Sequence, residues 1–167
     1  MIHHYIENSA RTFPDKVAVI TDKERITYQE INTRANQLAR LLTDHGITQN
    51  DIVVLMMDNT PEYIVSYYGV LKTGAAVVPF SNDLKPDAIE YLLDELNAKA
   101  LLTSKKFERR LKACRLQASS LELMIIKNSV LDWQEAEYEL TVMPWPELGS
   151  GSQTDNLDIA IEKDQLA

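Results

Sequence analysis

One cysteine, five glycines and no apolar run beyond six residues set the first limits on this 167-residue chain. Cys114, being single, can form neither an internal disulfide framework nor a cysteine-built zinc site. The run at residues 52–57 falls far short of the ~20 apolar residues a membrane-spanning helix needs. Glu7 stands where a signal peptide would carry its apolar stretch, so a soluble, cytoplasmic protein is expected. Gly46, Gly69, Gly74, Gly149 and Gly151 do not make a dinucleotide fingerprint or a Walker-type phosphate loop. Bases are the minority, 17 against 25 acids. The net charge of −8 repels a nucleic-acid backbone unless the bases gather on one face.

What is present is ordinary for a globular domain: 45% hydrophobic and 25% charged residues in a chain of single-domain length. The informative feature is a pitch. β-rich runs begin at Ile52 (IVVLMM), Ala76 (AVVPF), Ala100 (ALLT) and Leu123 (LMII), in steps of 24, 24 and 23 residues. Helical periodicity fills the gaps. Thr60-Pro61 starts one helix, with a Thr at the N-cap and Pro at the first helical position. Ile64, Tyr67, Tyr68 and Leu71 then fall three and four apart. Pro86 opens the next helix, carrying Ile89, Leu92, Leu93 and Leu96. Ser104 can cap a third, which would bury Phe107 and Leu111. Near-continuous apolar strands alternating with amphipathic helices predict an α/β fold, a mostly parallel sheet of βαβ units with helices on both faces.

A small β-hairpin precedes this array: KVAVIT at 16–21, a turn at Asp22-Lys23-Glu24, and a return at Arg25-Ile26. Thr27 and Glu30 have capping-box spacing, and the helix that follows turns Ile31, Ala35, Leu38, Leu41 and Leu42 inward before Gly46 closes it. A short helix is expected over residues 2–10. Residues 1–140 thus read as the α/β subdomain. Residues 141–167 read as a Pro/Gly/Ser-rich extended segment, containing Met143-Pro144-Trp145-Pro146 and Gly149-Ser150-Gly151-Ser152. The stretch 157–161 alternates, as a strand or a bend would.

Chemistry-bearing constellations are sparse. His3 and His4 are adjacent, point to different sides of a helix, and read as exposed terminal residues rather than a metal pair. His45, before Gly46, suits the negative end of a helix dipole. Cys114 lies between Lys112 and Arg115, which would lower its pKa if it were exposed; a small helix residue is the expected role. Residues 105–115 hold six bases and one acid, Glu108, which reads as a solvated helix face. Asp22, Asp58, Thr103 and Lys105 sit at strand ends, where α/β sites gather. They allow a phospho-receiver reading, against which the hairpin at Asp22 counts.

Two stretches carry a resemblance. Residues 25–42, RITYQEINTRANQLARLL, resemble the "L-T-Y-x-E-L-N-x-x-A-N-x-L-A" block of adenylate-forming ligases: acyl-CoA synthetases, acyl-AMP ligases and peptide-synthetase adenylation domains. Residues 71–80, LKTGAAVVPF, resemble their "L-K-A-G-x-x-x-V-P" block. FPDKVA at 13–18 and NTPEY at 59–63 are similar to the family's opening and to its "N-S-x-E" helix start. The first block is closest to peptide-synthetase domains; VVPFSN at 77–82 is more like acyl-CoA ligases, and the balance favours an acyl-CoA synthetase. Residues 144–148 and 164–167 are faintly similar to the family's approach to its phosphate loop.

The resemblance implies the N-terminal subdomain of an ATP-dependent acid–thiol ligase. Such an enzyme activates a carboxylic acid as its acyl-adenylate, with ATP and Mg2+, and passes the acyl group to CoA or a carrier-protein thiol. The family places its phosphate loop, metal-binding acid and mobile lysine later than residue 167, so no catalytic, cofactor-binding or metal residue transfers to this stretch. Thr27, Glu30, Gly74 and Pro79 are expected to be scaffold. The partners implied are the remainder of the same ligase and its substrates, with no nucleic acid and no membrane span. An interaction module that keeps the scaffold without the chemistry is the alternative from another class.

Overall fold

The computed structural model describes residues 2–116, 120–133, 140–149 and 154–157. Among them the element order is α1 (His3–Thr12), β1 (Val17–Ile20), β2 (Arg25–Thr27), α2 (Tyr28–Asp44), β3 (Ile52–Met56) and α3 (Pro61–Lys72). There follow β4 (Ala76–Pro79), α4 (Pro86–Glu95), β5 (Ala100–Ser104), α5 (Lys105–Lys112), β6 (Leu123–Lys127) and β7 (Thr141–Pro144). β1 and β2 form an antiparallel hairpin, and the other described strands form one sheet in the order β4-β3-β5-β6-β7. Pairing is parallel from β3 through β7, with Leu55 opposite Leu102 and Ile125 opposite Met143. The α/β reading, the hairpin before the sheet and the four predicted strands are all present.

The chain forms two compact units. One gathers residues 2–50, Asn59–Ala76 and the described residues from Glu147 onward; the other holds Asp51–Asp58 and Val77–Pro146. In the second, Val54, Met56, Leu101, Met124 and Ile126 pack with Ile89, Leu93, Phe107 and Leu111 of α4 and α5. The intervening positions Val53, Leu55, Leu102, Leu123 and Ile125 are also at most 1% exposed, so both faces of the sheet are covered. That is why these strands read as continuous apolar runs and not as alternating ones. Each such side chain contributes about 1.5–3 kcal/mol when fully buried.

In the first unit, α1, the hairpin and α2 close around Ile6, Ile26 and Ile31. The capping box is complete: the Glu30 amide donates to Thr27 Oγ1 at 3.2 Å, and the Thr27 amide to Glu30 Oε2 at 2.7 Å. That backbone bond holds the Glu30 carboxyl below its usual pKa. Gly46, at φ 82°, ends α2 in a Schellman motif, its amide on the Thr43 carbonyl and the Ile47 amide on the Leu42 carbonyl. α3 crosses α2 closely at Gly69, where a Cβ would lie 3.0 Å from Leu38 Cδ2.

Three local expectations need correction. Thr60 and Ser104 do occupy N-cap positions with extended backbone, but neither side chain makes a cap hydrogen bond. Thr60 Oγ1 is buried without a partner, so Pro61, with its preset φ, starts α3 instead. Residues 143–146, expected only as extended chain, begin inside β7, and the Trp145 amide continues the ladder onto the Ile126 carbonyl at 3.0 Å. Pro144 is tolerated there because β7 is an edge strand among the described residues. The stretches 117–119, 134–139, 150–153 and 158–167 lie outside the described residues, and with them most of the Gly-Ser stretch and of the 157–161 alternation.

Replacing Thr27 by Ala should cost about 1 kcal/mol, because the Glu30 amide loses its acceptor and the box opens. A urea midpoint within error of the wild type would show that the box contributes nothing.

Candidate functional site

In a parallel sheet the loops that follow the strands collect at one edge, and polar groups meet there. Asp58 follows β3, Asn82 follows β4, and Lys106 lies in the first turn of α5, directly after β5. Lys106 Nζ lies 2.6 Å from Asp58 Oδ1, and Asn82 Nδ2 donates to the same oxygen at 3.2 Å. Arg110 Nη1 donates to the Asn82 carbonyl at 2.6 Å and the Leu84 carbonyl at 3.0 Å. Thr103 turns inward and donates to the Met56 carbonyl at 2.8 Å. This edge is the candidate site, but its groups neutralise one another. Asp58 and Lys106 are both substantially exposed, 42% and 58% for their side chains, so the ion pair is worth ~1 kcal/mol or less.

A phospho-receiver arrangement is absent from these residues. Asp22 lies in the turn of the antiparallel hairpin, a different sheet from the one that ends at Asp58. Thr103 is committed to a backbone carbonyl, and Lys106, not Lys105, meets the acid.

The basic run of α5 is more than a solvated face. Lys106, Arg110 and Lys112 reach Asp58, the residue 82–84 loop and the Asp132 carbonyl in turn, and Arg115 pairs with Glu90 at 3.7 Å. Its lone acid is the informative residue. Glu108 is fully buried and accepts from Ser129 Oγ, the Val130 amide at 3.1 Å and Trp133 Nε1 at 3.1 Å. Burial pushes its carboxyl pKa up. The bonds from Ser129, Trp133 and the Val130 and Leu131 amides outweigh that and leave it below the usual range. Charge composition hid this acid, and the only signal was its i+1 neighbourhood with the buried Phe107. Cys114 lies just past the end of α5, not within it, and is buried. Burial, with Glu90 and Asp87 nearby, pushes the thiol up to about 11, so it is no nucleophile at neutral pH.

On the other unit, His45 ends α2 as expected, Nδ1 lying 2.8 Å from the Leu41 carbonyl. His3 contradicts the sequence reading: it is 8% exposed, whereas His4 is exposed. Its helix face packs inward with Ile6 and Ala10, at positions three and seven along, which adjacency to His4 concealed. Burial is the main reason its pKa falls to about 4; Glu7 opposes the shift, and His4 and Lys72 add to it. Ligand atoms of His3, His4 and Glu7 lie within 4.8 Å of one another, as a metal site would need. The Lys72 ammonium, however, is already ion-paired to Glu7 and supplies the cation there.

ATP and Mg2+ need amide donors around phosphates and an available acid. Among the described residues, Gly46 and Gly74 end helices, Gly69 lies against Leu38 and the Gly149 amide donates to Gln37 Oε1 at 2.7 Å. Asp58 is bound by Lys106 and Asn82.

Comparison with known proteins places the chain in context. The family described as AMP-binding enzyme matches residues 6–164. Tyrocidine synthase 3 of Brevibacillus parabrevis is 34% identical over 167 residues, covering 99% of this chain and 2% of that protein. Tyrocidine synthase 1 of the same organism is 40% identical over 104 residues, covering 62% and 10%. Among solved structures, the fatty acyl CoA synthetase of Mycobacterium tuberculosis is 28% identical with a TM-score of 0.71, covering 75% of this chain and 26% of that one. Coronafacic acid ligase from Pectobacterium brasiliense shares the fold over 98% of this chain and 32% of its own, at a TM-score of 0.81 and 23% identity. The chain spans a tenth or less of the two tyrocidine synthases.

Two predictions follow from the buried charges and rings. Replacing Glu108 by Gln should cost about 2 kcal/mol, since an amide cannot accept from every donor the carboxylate serves; equilibrium unfolding in urea measures it, and an unchanged midpoint would contradict the geometry. His3 has a folded-state pKa near 4 against 6.5 unfolded, so the unfolded chain binds the proton first as pH falls. Its stabilising contribution is present above pH 6.5 and is lost between 6.5 and 4, which amounts to about 2 kcal/mol between pH 7 and 5. The corresponding difference in His3→Gln should be smaller by that amount.

Proposed function

Because the chain belongs to the AMP-binding enzyme family, we propose that it is the N-terminal portion of an ATP-dependent carboxylic-acid ligase. The observation that carries this reading is the extent of the match, residues 6–164, over a frame in which the two family blocks fall on α2 and on the α3–β4 turn. The parent enzyme forms an acyl-adenylate from the acid and passes the acyl group to CoA or a carrier-protein thiol, using ATP and Mg2+. The VVPFSN stretch favours the acyl-CoA synthetase type.

In this reading the present residues supply scaffold. Lys72, Thr73 and Gly74 end α3 and turn the chain into β4. Thr73 Oγ1 donates to the Val70 carbonyl at 2.8 Å, and Gly74 takes the left-handed conformation at φ 82°. Tyr5, Phe13 and Ile20 of one unit are 72%, 55% and 65% exposed, large apolar side chains that the rest of a larger enzyme would have occasion to cover. No described helix is long and apolar enough to cross a membrane, which is compatible with a cytoplasmic ligase.

The 167-residue chain alone should give no acid-dependent ATP–pyrophosphate exchange, while the native product, expected to be well above 19.0 kDa, should. Turnover by the short chain, or a native product of 19.0 kDa that is a clean monomer and binds no hydrophobic dye, would overturn the reading. Supplying CoA or a pantetheine-bearing carrier to the longer product separates the two acceptors.

A further inference from the structure

Four polar side chains of α2 and one of α3 converge on a segment more than 80 residues later in the chain. Asn32, Asn36 and Arg40 are spaced by four, so they share one face of α2. Asn32 Nδ2 donates to Asn156 Oδ1 at 3.0 Å. Asn36 Nδ2 donates to the same oxygen at 3.0 Å and to the Thr154 carbonyl at 2.5 Å, and Arg40 Nη2 donates to the Asp155 carbonyl at 2.7 Å. One turn away, Gln37 Oε1 accepts from the Gly149 amide. From the end of α3, Lys72 Nζ reaches Asn156 Oδ1 at 3.3 Å while paired with Glu7 of α1.

The receptor for this segment is buried, although the segment itself is exposed. Asn36 is 0% and Lys72 2% exposed. Burial lowers the Lys72 pKa against the opposing hydrogen bond and charge of Glu7. The orientation of the Asn36 amide is dictated, since both of its short contacts are to acceptors, and its own oxygen is left buried without a partner. Apolar residues at these positions would fold α2 against α3 without such desolvation costs. What they could not do is recognise a main-chain carbonyl and an amide oxygen in a fixed register, which is the service a buried polar group can render.

We propose that Asn36 and Lys72, one from each family block, are positioning residues: together they clasp Asn156 and fix residues 154–156 against α2 and α3. This rests on the ligase reading for its consequence in catalysis, because the residues that handle the nucleotide would follow this segment. The clasp itself is independent of that reading. Neither residue touches substrate; each acts through Asn156.

The test uses the native, full-length product with Asn36→Leu, Lys72→Met and Asn156→Ala, the last replacing an exposed residue. Hydrogen exchange in residues 154–157 should become about tenfold faster in all three, with α2 and α3 amides unchanged in Asn156→Ala. In pyrophosphate exchange, kcat should fall on the order of tenfold with KM for the acid within about twofold, as misplacement rather than lost binding requires. Asn156→Gln, which keeps the acceptor, should recover part of the loss. Unchanged exchange in 154–157 for Asn156→Ala would overturn the clasp. Faster exchange there with kcat intact would overturn the positioning role. A wild-type product inert towards every acid tried would sink the ligase reading instead, and the hydrogen-exchange result would still decide the clasp.

Discussion

Parallel strand pairing sets the terms for the sheet-bearing unit. Neighbouring parallel strands cannot be joined by a tight turn; each needs a crossover that carries the chain back to the starting edge. The 24-residue pitch is that requirement written in sequence, a strand of about five residues plus a helix and two loops. Once the pitch is set, much else follows. Strands flanked on both sides lose their polar alternation, Phe107 and Leu111 must face the sheet, and every loop after a strand arrives at the same edge. Asp58, Asn82 and Lys106 meet there for that reason, though they are 24 residues apart in sequence at each step.

Reading by period was accurate where burial decides and silent where partners decide. The four predicted strands, the hairpin, the Thr27–Glu30 box and Gly46 all depend on short-range sequence, either apolar spacing or a local backbone demand. Glu108, Asn36 and Lys72 depend on groups 21 to 120 residues away, and apart from Phe107 beside Glu108 little in their own neighbourhood marks them as buried. A polar residue inside a good amphipathic pattern is assigned to the wet face by default. His3 failed by the same logic, its inward position masked by an exposed twin. At the carboxyl edge Asp58 and Thr103 were legible as strand-end residues, but Asn82 and Lys106, which meet Asp58 there, were not, because side-chain reach is invisible to spacing. Thr60 and Ser104 show the converse, cap residues in the right place whose hydroxyls do not cap.

The buried polar groups differ in what they accomplish. Glu108 gathers donors from residues 129–133 and so ties a loop to α5, a local task within the sheet-bearing unit. The Asn36–Lys72 pair binds a segment that enters from the far end of the chain. Both trade some stability for definition, since a buried acid or ammonium is never the most stabilising choice for its volume. The distinction lies in which alternative is excluded: a loose loop in the first case, a displaced 154–156 segment in the second.

Under the proposed reading, family membership and activity attach to different residues of this protein. The positions that match the adenylate-forming pattern are helix caps, helix stops, a tight helix crossing and a strand end, each with a structural cause on the α2, α3 and β4 backbone. Catalysis needs transition-state charge met by preorganised donors, and Asn36, Lys72, Thr103 and Arg110 direct theirs at other side chains or at the main chain. Under the proposed reading such a stretch contributes position: residues 154–156 held to within a hydrogen-bond length, so that groups borne elsewhere come to rest where the chemistry needs them.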